Sequence, residues 1–248
     1  MYTDAEKIVM PLMVLILLSI TILLWLLLRN KKEVWQNIPF QVIAVVLVGG
    51  ELVKQIISIK QGYNFWHLPL HFCSTYFIWF SLAEFSVGKM RKTMQNVAFV
   101  ATIYLCVALY SYPSGVLNTA CENLFESYFT AHSFFFHHLV ILYMMLSIAF
   151  KRFKPCKMDA LTWMICFSAY FAVASVCAYK FDKNFFGILN GDLLPGLETI
   201  RLAVGQFWYD AGLGFVLIFF GAGLMYLSAV ISEKLHKEQF VEAALAEK

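Results

Sequence analysis

Several residues with chemical capacity lie inside runs that are otherwise apolar. One run holds Glu51, Lys54 and Gln55, a second holds His67, His71 and Cys73, and a third holds His132, His137 and His138. A thiol and an imidazole are the parts of a Cys–His nucleophile pair, in which the base takes the thiol proton and the thiolate attacks an ester carbonyl. The same histidines with Glu51 offer enough ligands for zinc, although no HExxH-type spacing is present and no metal is assigned. Polar residues buried in spans also serve carriers, whose sites lie near the midplane with broken helices, and Gly49-Gly50 before Glu51 could supply such a break. A receptor is the fourth option, resting on the number of spans alone.

The elements that must carry these residues are membrane helices. Only 14% of the 248 residues are charged, 60% are hydrophobic and Phe alone counts 24. The mean hydropathy is +0.69. A water-soluble domain has too little polar surface to cover that much apolar side chain. This excludes a soluble enzyme, a disordered chain and a disulfide scaffold. The net charge of +3 sits in clusters beside apolar runs and gives no nucleic-acid signature. The six cysteines form no CxxC pair.

Seven apolar segments follow at 8–28, 38–59, 67–87, 95–112, 130–150, 159–179 and 211–231. The expected fold is all-α, a single seven-helix domain over 1–231 with a cytoplasmic tail at 232–248. Thirteen of the 19 basic residues fall on one side, in clusters at Arg29–Lys32, Lys89–Lys92, Lys151–Lys157 and the C-terminal tail. By the positive-inside rule the N-terminus is outside and the C-terminus cytoplasmic.

Ionisable groups are costly in hydrocarbon, so those inside the spans mark a candidate site. Glu51, Lys54 and Gln55, at i, i+3 and i+4, share one helix face. They allow either an internal Glu51–Lys54 pair or a carboxylate that orients a histidine. At 1.5 Å per residue, Glu51, His71, Cys73, His137 and His138 all lie within about 12 Å of the outer surface. On a regular helix His71 shares its face with Ser74 and Thr75, and Cys73 points away from it. The inner halves are expected to hold almost nothing ionisable, with Glu84 reaching the interface. A polar cavity under the outer leaflet follows, capped by the lid-like 180–210 connection with Asn184, Asn190 and Asp192.

The stretch Leu68-Pro69-Leu70-His71-Phe72-Cys73-Ser74 resembles the LPLHxCS motif of the bacterial YwaF-like integral membrane family. Phe134–Ile141, and more loosely Asn184-Phe185-Phe186 with Pro195, extend the resemblance through most of the chain. That family is similar to the eukaryotic transmembrane protein 164 group, and more distantly to androgen-induced fatty-acid-ester hydrolases. In the eukaryotic group a Cys nucleophile and a distant His carry acyl transfer between phospholipids; in the hydrolases a Thr takes the nucleophile's place. The resemblance implies that Cys73 is the nucleophile, His137 the base and His138 the alternative base. The eukaryotic motif has His directly after Cys, whereas here His71 precedes Cys73 by two residues. The implied activity is a lipid acyltransferase or ester hydrolase of a bacterial cell membrane, acting on a phospholipid or other acyl lipid with no cofactor. Glu51 or His71 would orient the base, and Asn184 or Asn190 would stabilise the oxyanion. The alternative is a non-catalytic solute or lipid transporter using the same cavity.

Overall fold

The computed structural model describes residues 2–191 and 196–246, with side chains to Lys234. Asp192 and Pro195, which the sequence placed in the capping connection, lie outside the described residues. Among the described residues the chain is helical throughout, with no strand. Six helices are long and apolar enough to cross a membrane. They are α1 (Asp4–Leu28), α2 (Glu33–Lys60), α4 (Gly88–Ser111), α6 (Tyr128–Ala149), α7 (Lys157–Phe181) and the joined pair α9 (Gln206–Phe215) and α10 (Gly221–Ala246). Shorter helices are α3 (Tyr76–Phe85), α5 (Pro113–Leu117) and α8 (Leu197–Val204).

The helix starts are written in local sequence. Thr3 caps α1 in a reciprocal box with Glu6, and Ser127 does the same for α6 with Thr130. Such boxes fill amides that the first turn leaves without partners. Glu6 also accepts from Ser114 Oγ at 2.5 Å, tying α1 to α5. The apolar side chains of α1 face outward; only 11% of its most apolar window is buried. This is the reverse of a soluble protein and suits lipid as the solvent.

The third apolar segment, 67–87, is not one helix. Residues 68–72 are non-helical, a single 3-10 turn spans Cys73–Thr75, and regular helix begins only at Tyr76. Pro69 is the cause. Its ring disfavours helical geometry at the preceding residue, and Leu68 is extended at φ −53°, ψ 140°. The expectation that His71 shares a helix face with Ser74 and Thr75 fails for this reason. Segment 65–85 nonetheless runs back along α2. His67 Nδ1 lies 2.7 Å from Ser58 Oγ near the end of α2. Phe80 stacks on Tyr143, whose ring meets Phe40 near the start of α2.

Gly49 and Gly50 do not break α2, which is continuous to Lys60. The irregular helix is the last. Between α9 and α10 the residues Val216–Phe220 form a π-helical turn. Such a turn redirects backbone carbonyls. Tyr104 Oη donates to those of Val216 and Leu217, and Trp163 Nε1 donates to Leu217. Gly221 leaves the space that the Trp163 ring occupies, since a Cβ there would stand 2.2 Å from it.

The basic clusters at the α1–α2 turn and before α7 lie at one end of the bundle. Gln36 bridges the α1–α2 turn, Arg152 lies 3.7 Å over the Phe40 ring, and Lys157 pairs with Glu233 at 2.9 Å. The start of α1 is at the opposite end, where Tyr2 Oη donates to the Tyr110 carbonyl.

Candidate active site

α2 carries the centre of the polar cluster. Its buried face runs Leu47, Glu51, Lys54 and Ser58. Glu51 Oε1 forms an ion pair with Lys54 Nζ and accepts a hydrogen bond from Gln55 Nε2, each at 2.8 Å. The internal ion pair read from the spacing is therefore present. The same Gln55 amide donates to the His67 carbonyl at 2.7 Å, and Tyr63 Oη donates to Gln55 Oε1 at 2.9 Å. These bonds fasten the irregular 61–72 stretch to α2, where an unpaired backbone would be costly.

The second carboxylate oxygen, Glu51 Oε2, is buried without a hydrogen bond. The histidine facing it is His132, whose Nε2 stands 3.9 Å away and is also unpartnered. Gly50 permits the approach: a Cβ there would lie 3.3 Å from the His132 ring. Tyr128 Oη donates to the Gly50 carbonyl at 2.7 Å and fixes the α2–α6 register. The sequence reading counted His132 only among possible metal ligands. The signal for it was the glycine next to Glu51.

His137 and His138 are both buried in α6. Each ring is held the same way: His137 Nδ1 lies 2.5 Å from the Ser133 carbonyl, and His138 Nδ1 lies 2.7 Å from the Phe134 carbonyl. A carbonyl can only accept, so Nδ1 carries the proton and, in the neutral ring, Nε2 carries the lone pair. Both Nε2 atoms are buried and without partners. Residue i−4 on the same helix, not Glu51 or His71, thus sets the orientation of each ring.

Cys73 opens the 3-10 turn and is half-buried against the core. Neither His137 Nε2 nor His138 Nε2 is hydrogen-bonded to the Cys73 thiol. His71 donates from Nε2 to the Trp66 carbonyl at 3.1 Å, and its ring packs between Trp66 and Phe185.

The connection after α7 covers this region. Phe185 is fully buried, and Phe186 packs on Phe72 and Tyr170. Asn184 and Asn190 bond each other, and Asn184 Oδ1 accepts from the Leu189 amide at 2.9 Å. Asn184 thus closes its own loop. Among the described residues, no three His, Cys, Asp or Glu side chains converge to hold a metal ion. Two open grooves lie elsewhere. One, of about 320 Å³, is between α1 and α6 at Leu18 and Met145; the other, of about 400 Å³, is between α7 and α9 at Phe171 and Gly214.

The basic end differs from the sequence expectation. Glu84 does not reach out to the interface but is buried, accepting from Tyr143 Oη at 2.6 Å and from Arg152 Nη2 at 2.9 Å. Asp159 is buried too, filled by Thr93, Asn96 and the Cys156 amide. Ionisable groups therefore occupy both ends of the bundle.

No curated protein and no solved structure matches the chain. The TMEM164 family model matches residues 1–227, almost the whole chain, through every helix that carries the cluster, and the chain belongs to the TMEM164 family.

Proposed function

We propose that this membrane protein is a lipid acyltransferase or lipid ester hydrolase that uses Cys73 as nucleophile and His137 as base. The observation that carries the reading is the buried, unpartnered Nε2 of His137, whose lone pair is fixed in direction by the Ser133 carbonyl. A general base must hold a free lone pair in a defined place. Family membership is consistent with the pairing.

In the first half-reaction the Cys73 proton passes to His137 Nε2, and the thiolate attacks the carbonyl carbon of a lipid ester. The new C–S bond forms, the oxyanion collapses, and the ester C–O bond breaks. The leaving alkoxide takes the proton back from Nε2, leaving an acyl-thioester on Cys73. In the second half, His137 takes a proton from water or from a lipid hydroxyl, whose oxygen attacks the thioester and restores the thiol. Water gives hydrolysis; a lipid hydroxyl gives transfer. His138 is the alternative base, and His71 supports the Cys73 turn from the Trp66 side. Asn184 and Asn190 enter as supports of the covering loop. An oxyanion role for either would require their mutual bond to open.

The topology belongs to the same proposal. Segment 65–85 forms a seventh crossing in broken form, with the N-terminus outside and the basic end in the cytoplasm. The host is a bacterial cell membrane. The ester bonds of the outer leaflet then lie at the depth of Cys73. The test is turnover of a labelled phospholipid by purified protein, with Cys73→Ala and His137→Ala beside the wild type. Loss of release and transfer in both variants is expected; turnover that survives Cys73→Ala overturns the nucleophile.

A further inference from the structure

The basic end of the bundle holds a cluster with more positive than negative charge. Glu84 is the one carboxylate between Arg91 and Arg152. Its two oxygens are filled by Tyr143 and Arg152. Arg91 is left 3.6 Å from Glu84 Oε2, an attraction without a hydrogen bond. Arg91 Nε and Nη2 and Arg152 Nη1 are buried with no partner. The nearby carboxylate of Asp159 cannot serve, because Thr93, Asn96 and the Cys156 amide occupy it.

Two further features increase the need for an anion. α4 begins three residues before Arg91 with no side-chain cap and no acidic residue in its first turn. Its free amides and dipole add partial positive charge at that end. The adjacent Lys89 and Lys92 are exposed. Arg152 lies over the Phe40 ring, whereas the Arg91 side chain is 25% exposed. Guanidinium groups match the oxygens of a phosphoryl group in paired hydrogen bonds.

We propose that Arg91, supported by Arg152 and the first turn of α4, binds a phosphoryl group at the basic end of the bundle, separate from the Cys73 region. A phospholipid headgroup and free inorganic phosphate share this chemistry. The headgroup level of a bilayer coincides with the ends of membrane helices, where anionic lipid meets basic residues.

The test uses the full chain in detergent, titrated with phosphatidylglycerol, with diacylglycerol, which lacks the phosphoryl group, and with inorganic phosphate. Binding is read by native mass spectrometry and by protection of Arg91 from phenylglyoxal. The wild type is expected to bind phosphatidylglycerol and not diacylglycerol. Arg91→Gln is expected to bind about tenfold more weakly, and Lys31→Gln, an exposed basic residue of the same end, to bind as wild type. Phosphate that displaces the lipid and protects Arg91 identifies a site open to the free ion; lipid-only protection identifies the headgroup. The proposal is overturned if neither probe protects Arg91 in the wild type, a result that needs no variant to fold. It is also overturned if Lys31→Gln loses as much binding as Arg91→Gln.

Discussion

The two ends of the bundle are incomplete in opposite senses. Around α2 and α6 the orphaned atoms include acceptors: Glu51 Oε2 and the Nε2 atoms of His137 and His138. At the basic end they are donors: Arg91 Nε and Nη2 and Arg152 Nη1. A buried orphan is expensive at either end. The first set offers free lone pairs and the second free N–H groups. At the basic end Asp159 shows what a purely structural carboxylate looks like, since donors from α4 and from the chain before α7 fill both of its oxygens.

The largest effect that would break this contrast is expected at Glu84. Glu84→Ala strips the counter-charge from Arg152 and Arg91, and breaking a buried pair in this way costs about 3–5 kcal/mol. Thermal unfolding in detergent should show it, and a variant as stable as wild type would mean that the arginines already have another anion. At the other end His137→Ala should lower turnover by about 10²–10⁴-fold while leaving the unfolding temperature nearly unchanged. Equal loss of fold would make His137 a packing residue.

The contrast was only half legible in sequence. The hydropathy runs located α1, α2, α4, α6, α7 and the α9–α10 pair, because lipid demands long apolar stretches whatever the packing. The face shared by Glu51, Lys54 and Gln55 also followed from helical spacing and is present. What spacing could not supply was the backbone of 68–72, where Pro69 ends the regular rise on which the His71 and Cys73 geometry was reckoned. Nor could it show that Glu84 turns inward, because its partners Tyr143 and Arg152 lie some 60 residues away in α6 and beyond. His132 was undervalued for the same reason: its approach to Glu51 depends on Gly50 of another helix.

Smaller effects sharpen the contrast. Gly221→Ala drives a Cβ into Trp163 and should cost about 1–3 kcal/mol by displacing the π turn; its measure is thermal unfolding. Asn184→Ala removes the staple of the covering loop and should cost about 1 kcal/mol, with faster amide exchange at Leu189 as the check. The smallest effect concerns Glu198, outside the spans. Its hydrogen bonds with Arg201 and the Gly191 amide hold its carboxyl down to about 2. A depressed carboxyl contributes stability that is complete above its unfolded value and lost as pH falls through the folded one. Protection of the Gly191 amide should therefore persist at pH 4 and disappear near pH 2.

The central claim is that the free lone pair at the α2–α6 end serves Cys73. Its most direct measurement is the intact mass of the protein after brief mixing with phospholipid. The account predicts one acyl adduct, mapped to Cys73 and released by hydroxylamine as a thioester. The adduct should be absent in Cys73→Ala and should form far more slowly in His137→Ala. An adduct on another residue, or turnover of the lipid in Cys73→Ala, would contradict it.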